Sequence, residues 1–70
     1  MAVYILLHGE ISEGGSVVSV HATEAGAINA AMTEMDGGDF LEDGYEPKME
    51  WRRWTDGYDW YSVRSHEVQP

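Results

Sequence analysis

The sequence contains no cysteine, which excludes a disulfide framework and a cysteine-based zinc site. No apolar run approaches the roughly 20 residues that a transmembrane helix needs. A basic-then-apolar leader followed by a cleavage site is also missing. These absences predict a soluble, cytoplasmic domain that makes no membrane contact.

Basic residues are missing from the first two thirds of the chain. Residues 1–46 contain nine acids and no lysine or arginine, whereas residues 47–70 contain four acids and four bases. The formal net charge is −9 at pH 7. Such a field disfavours direct binding to nucleic acid and favours a partner protein with a basic surface. The alternative is that the acids only maintain solubility.

Seventy residues with no internal boundary predict a single domain, residues 1–70. The predicted elements are strands at residues 2–8, 16–22, 48–54 and 58–65, and a helix at residues 24–35. This order, β-β-α-β-β, predicts an α+β fold with one helix on one face of a four-stranded antiparallel sheet. The first strand is apolar on both faces, which predicts a central position in the sheet.

The helix and the segment after it each carry apolar residues that we expect in the core. The helical stripe consists of Ala27, Ile28, Ala31, Met32 and Met35. The segment that follows, from Asp36 to Glu46, is acidic and contains glycine, and we predict that it is a loop that connects the helix to the next strand. Phe40 and Leu41 are its anchors to the core.

The turn Thr55-Asp56-Gly57 decides which residues of the last hairpin share a face. A two-residue Asp-Gly loop would place the apolar residues of the two strands on opposite faces. A three-residue loop with Gly57 in the left-handed region sets Trp54 opposite Tyr58 and Arg53 opposite Asp59. We predict the three-residue loop, because it collects the apolar residues on one buried face. The residues predicted to face the helix are Met49, Trp51, Tyr61 and Val63.

The sequence carries no motif for catalysis or for a cofactor. Gly14-Gly15 and Gly37-Gly38 lack the lysine and the strand-to-helix context of a phosphate-binding loop. A metal site needs three or four convergent ligands with an ordered second shell. We therefore predict no catalytic, cofactor-binding or metal-binding residue and no enzyme activity. A metal-binding module or small enzyme built on the three histidines is one alternative.

Two surfaces are candidates for binding a partner. The acidic set consists of Glu34, Asp36, Asp39, Glu42, Asp43 and Glu46. The aromatic set, on the outward face of the predicted hairpin, consists of Arg52, Trp54, Tyr58, Trp60 and Arg64. Tryptophan, tyrosine and arginine are enriched in interface hot spots. A ladder of cross-strand aromatic and cation–π pairs that stiffens the sheet explains the same pattern.

In size, acidity and layout the chain resembles the small acidic proteins that bacteriophages carry against host defences, such as anti-CRISPR proteins. The resemblance is one of profile over the whole chain. It implies that the acidic set mimics nucleic acid on a basic partner surface. The charge distribution predicts a non-enzymatic protein-binding module, and the resemblance implies that it acts as such an inhibitor. The other alternative is a homo-oligomeric accessory domain, such as a homodimer, that buries the aromatic set between subunits.

Overall fold

The computed structural model describes residues 1–46 and 51–69, and the side chains of residues 1–42 and 52–69. The elements in chain order are β1 (Ala2–Glu10), β2 (Gly15–His21), α1 (Glu24–Glu34), β3 (Leu41–Glu46), β4 (Trp51–Thr55) and β5 (Asp59–Glu67). All pairings are antiparallel, within one sheet of order β2-β1-β5-β4-β3. The predicted α+β class with one helix and an antiparallel sheet is confirmed, but the sheet has five strands rather than four.

The fifth strand, β3, occupies the acidic segment that the sequence analysis treated as a connection. Aspartate, glutamate and glycine are depleted in strands, so local propensity argues against a strand here. Pairing with β4 overrides that propensity, from Leu41 opposite Thr55 to Glu46 opposite Trp51. The register shifts between Glu42 and Gly44, as at a bulge, which is common at sheet edges.

β1 lies inside the sheet, as its two-sided hydrophobicity predicts. It pairs with β2 on one side and with β5 on the other. The β1–β5 ladder runs without interruption from Ala2 opposite Glu67 to Glu10 opposite Asp59. The two chain ends of the described region are therefore held side by side.

α1 begins and ends close to the predicted residues. The hydroxyl of Thr23 accepts a hydrogen bond of 3.0 Å from the N–H of Gly26, which is the expected N-cap. The helix ends at Glu34, and Gly37 adopts a positive φ of 83° shortly after it. The buried core consists of Leu6, Ala27, Ala31, Met35, Trp54 and Val63. The small alanines allow the helix to lie close to the sheet.

The register of the last hairpin differs from the prediction. Trp54 lies opposite Tyr61 and Arg53 lies opposite Ser62, so the predicted pairs with Tyr58 and Asp59 are wrong. The positive φ of Gly57, 99°, is confirmed. The whole pairing is displaced by three residues, and an odd displacement exchanges the faces of one strand relative to the other.

Hydrogen bonds inside the turn explain the longer loop. The Asp56 carboxylate accepts from the backbone N–H of Tyr58 at 2.9 Å and from that of Asp59 at 2.8 Å. The Thr55 hydroxyl donates to the carbonyl of Asp59 at 2.8 Å. These side-chain hydrogen bonds take the place of backbone hydrogen bonds between β4 and β5 near the turn. The first pair of the two strands after the turn is therefore Thr55 and Trp60.

The new register moves one tryptophan into the core. Trp54 is only 5 % exposed and lies on the face that α1 covers. Tyr61 and Val63 lie on that face, as predicted. Met49 lies outside the described residues, as does the side chain of Trp51, and the Trp51 backbone pairs with Arg64 rather than with Tyr61.

Alternation along the strands defines the other side of the sheet, here called the open face. In the described part of the chain its residues are Val3, Ile5, Leu7, Gly9, Val17, Val20, Leu41, Arg53, Thr55, Trp60, Ser62, Arg64 and His66. α1 packs against the opposite side. The open face and the helix side therefore present different chemistry.

Candidate protein-binding groove

A groove lies between the C-terminal end of α1 and the strands β3 and β4. Its volume is about 440 Å³. It is lined by Met32, Met35, Asp36, Gly37, Gly38, Phe40, Leu41, Glu42 and Trp54. The lining combines the end of the hydrophobic core with two acids of the acidic set.

The turn after α1 fixes the floor of this groove. The N–H of Met35 donates to the carbonyl of Ala31 at 2.9 Å, and the N–H of Gly38 donates to the carbonyl of Met35 at 3.0 Å. A Cβ at Gly38 would lie 2.8 Å from a ring carbon of Phe40, so only glycine allows this approach. The Phe40 ring in turn contacts Tyr61 edge-on, with the ring centres 5.5 Å apart.

Two large apolar residues that line the groove remain exposed to solvent: Met32 on α1, and Leu41 at the start of edge strand β3, where the register turns its side chain towards the open face. Met32 is 44 % exposed and Leu41 is 75 % exposed. Both were expected in the core, because nothing in the sequence separates them from Met35 and Phe40. Methionine is flexible and adapts to differently shaped partners. Exposed apolar residues beside a formed groove are typical of an interaction site.

The electrostatics of the groove are negative. Glu34 lies in the last turn of α1, which contains no basic residue. The carbonyl end of a helix carries partial negative charge and is stabilised by cations, so Glu34 and Asp36 add to an uncompensated field. A cationic group from outside would be attracted to this end of α1.

The described side chains at the border of the groove include a basic one, that of Arg52. The Arg52 guanidinium forms an ion pair with the Glu42 carboxylate. It also lies 5.2 Å from the centre of the Trp54 ring. The cation–π contact positions the Arg52 guanidinium over Trp54, and the ion pair links that guanidinium to Glu42.

The structure gathers the described part of the acidic set at one end of the molecule. Asp36 and Glu42 line the groove, while Glu34 and Asp39 are exposed on the segments beside them. Asp43 and Glu46 belong to β3, and their side chains are outside the described residues.

The aromatic set does not form one surface, in contrast to the prediction. Arg52 and Trp54 lie on the helix side, whereas Trp60 and Arg64 lie on the open face. Tyr58 stands at the tip of the hairpin and is 81 % exposed. The three-residue displacement of the register separates these residues, because faces alternate along each strand.

The histidines do not converge. The His8 Nε2 lies 3.3 Å from an Asp59 carboxylate oxygen, and its ring is 4.6 Å from that of Tyr61. The His21 Nε2 is 2.7 Å from the Ser19 hydroxyl. Among the residues that the structure describes, no three side chains of the metal-ligating types are grouped as a metal site would require.

Within residues 1–46 and 51–69, no helix has the length and apolar character to cross a membrane. No family model, curated protein or solved structure matches the chain.

Proposed function

We propose that the chain is a non-enzymatic protein-binding module whose groove holds a basic, partly apolar segment of a partner protein. The observation that carries the proposal is the pairing of exposed Met32 and Leu41 with Asp36 and Glu42 in one groove. An apolar groove alone would suit many partners, and scattered surface acids alone would suit none in particular. Together they select a partner that offers both kinds of contact.

The groove has a shape that can hold a lysine or arginine side chain of the partner. The aliphatic stem of that side chain would lie against Met32. Its charged head would reach Asp36 and the carbonyl end of α1, where the helix dipole favours a cation. Burial of the stem supplies affinity, and the charge supplies orientation and speed of association.

Glu42, the second acid of the groove, is already paired with Arg52, so a cationic side chain of the partner would compete with Arg52 for it. Both side chains are partly exposed, and exposed ion pairs contribute only about 0–1 kcal/mol. A partner arginine can therefore share Glu42 or displace Arg52 at small cost. Arg52 would remain over the Trp54 ring after such an exchange.

The charge of the whole molecule supports an inhibitory role. The first two thirds of the chain carry nine acids and no lysine or arginine before residue 47. Their negative field would steer association towards basic surfaces of other proteins. A partner whose basic surface binds nucleic acid would lose that surface when the groove and its acids cover it. The resemblance to phage-encoded inhibitors supports this role.

A matched pair of charge variants tests the groove. Asp36→Lys/Asp39→Lys reverses two exposed acids at the groove, and Glu10→Lys/Glu13→Lys reverses two exposed acids of the same spacing at the end of β1 and in the turn that follows it. Partners captured from a lysate of the source organism by the wild type are identified by mass spectrometry. Their affinities for both variants are then measured over a salt series.

The groove variant should bind at least about tenfold more weakly at low salt, whereas the turn variant should bind nearly as the wild type does. Binding should also weaken as salt screens it. Nucleic acid should compete with the protein for the partner. Equal losses in both variants would mean that net charge, not the groove, governs binding.

A second candidate function, a homo-oligomeric accessory domain, is favoured by the edge strand β2. Val17 and Val20 are exposed on it, and its sequence from Gly15 to His21 contains no charged residue. An uncharged, exposed edge strand is a template for pairing with another chain. Sedimentation of the wild type and of Val20→Lys tests this function. A dimer that the lysine dissociates supports it, and a monomer at all concentrations rejects it.

A further inference from the structure

The open face concentrates positive charge in a strongly acidic protein. Two of the three arginines, Arg53 and Arg64, lie on it. No aspartate or glutamate with a described side chain shares that face. The described acids lie on the helix side, in α1 or in the connecting turns.

The two arginines border one cavity of about 300 Å³. The other lining residues are Trp60 and Ser62. The register explains the grouping. Arg53 lies directly opposite Ser62 on the neighbouring strand, and Trp60 and Arg64 flank Ser62 at alternate positions on β5. Strand alternation thus brings two guanidinium groups, a hydroxyl and an indole together on rigid backbone.

Ser62 gives the cavity an unsatisfied hydrogen-bonding group. Its side chain is 1 % exposed, and its hydroxyl has no hydrogen-bond partner among the described residues. A buried polar group without a partner is costly and calls for a ligand, ion or water to satisfy it. At the same register position alanine or valine would avoid that cost.

Neither arginine lacks interactions within the protein. Arg53 and Arg64 each make a further contact in the fold. A guanidinium has five N–H donors in a planar fork, so it can serve a protein group and a ligand at the same time. A side chain already held by a contact also loses less entropy when it binds an anion.

We propose that this cavity binds a small organic oxyanion, a carboxylate or phosphate carried on an apolar body. The oxyanion takes hydrogen bonds from Arg53 and Arg64 and from the Ser62 hydroxyl. The apolar body lies against Trp60. The volume suits a small molecule rather than a polypeptide segment.

The test uses defined probes on the full chain. Benzoate, phenyl phosphate and inorganic phosphate are titrated, with neutral benzamide as the matched control ligand. Binding is followed by NMR at the Trp60 indole N–H and at the backbone N–H of Ser62. The variants are Ser62→Ala, which removes only the hydroxyl, and Arg64→Gln. Arg52→Gln is the matched control, because Arg52 lies on the opposite side of the sheet.

Benzoate and phenyl phosphate should bind saturably, and benzamide should not. Inorganic phosphate should bind more weakly than phenyl phosphate, because it lacks the apolar body. Ser62→Ala and Arg64→Gln should each weaken binding by roughly tenfold, the value of one charge-assisted hydrogen bond. Arg52→Gln should have no effect. No saturable binding, or equal binding by wild type and Ser62→Ala, would overturn the proposal and leave Ser62 with an ordered water only.

Discussion

Trp54 and Tyr61 lie directly opposite each other on β4 and β5, on the side of the sheet that α1 covers. The pair joins the core to the groove. Trp54 lines the groove from below, and Tyr61 contacts Phe40 of the loop after α1. The stability of the domain and the shape of its candidate site therefore depend on the same cross-strand pair.

Replacement of Trp54 by alanine should strongly destabilise the protein. A buried aromatic side chain contributes roughly 3–5 kcal/mol relative to alanine, through lost burial and the cavity left behind. Tyr58→Ala is the matched control, since its ring is exposed at the hairpin tip and its loss should change stability by less than about 0.5 kcal/mol. Urea unfolding of both variants measures the change in the free energy of unfolding. Comparable decreases in the two variants would contradict the register in which Trp54 is buried.

Asp56 should make the hairpin turn sensitive to acid. Hydrogen bonds from the backbone N–H groups of Tyr58 and Asp59 hold the pKa of Asp56 below its ordinary value of 3.8. Its ionised form therefore stabilises the folded state above pH 3.8, and that contribution is lost as the pH falls through the lower folded-state pKa. Unfolding measured over this range should show a smaller acid dependence in Asp56→Asn.

A further variant separates charge from hydrogen bonding at this turn. Asp56→Ala removes the acceptor of two backbone N–H groups, so it should lower stability already at neutral pH. If Asp56→Ala is as stable as the wild type, the turn is held by the backbone alone.

The sequence predicted the parts of the fold that rest on local patterns. Thr23, the helical stripe and the two-sided first strand each determine their own element with little help from the rest of the chain. β3 was missed because Glu42, Asp43 and Gly44 disfavour a strand, and only the neighbouring strand stabilises it there. Tertiary pairing is not encoded in a local pattern.

The candidate groove was predictable only in its charge. The run of acids from Glu34 to Glu46 is evident in the sequence, but the exposure of Met32 and Leu41 depends on how the loop crosses α1. The prediction that the aromatic set forms one surface is wrong for a different reason. The side chains of Thr55 and Asp56 take over turn hydrogen bonds, and this lengthens the loop beyond the expected glycine bulge.

Tyr61 should weaken the fold at alkaline pH. Burial raises the pKa of Tyr61 above its ordinary value of 10.0, and the negative charges of Glu34, Asp59 and Asp56 raise it further. The folded state therefore favours the neutral phenol. Its stabilising contribution is complete below pH 10.0 and is lost as the pH rises through the folded-state pKa. Tyr61→Phe should flatten the alkaline fall in unfolding free energy.

Gly9 and Trp60 should prove energetically coupled across the open face. They lie opposite each other on β1 and β5, and the indole N–H of Trp60 donates to the carbonyl of Glu10 at 3.3 Å. A Cβ at Gly9 would lie 2.4 Å from a ring carbon of Trp60, so Gly9→Ala must displace the indole. We expect a loss of about 1–3 kcal/mol, as for other overpacked sites. Gly14→Ala is the control, because a Cβ there meets nothing within 4 Å.

A double-mutant cycle measures the coupling. In the Trp60→Ala background the indole is gone, so Gly9→Ala should cost less, although the Gly15 Cα at 2.9 Å from the added Cβ still limits the site. The expected coupling energy is roughly 0.5–3 kcal/mol, the range for residues in direct contact. Additive costs would show that the indole does not lie over Gly9. The oxyanion cavity would then lose the wall that Trp60 gives it, since the same ring that covers the glycine borders that cavity.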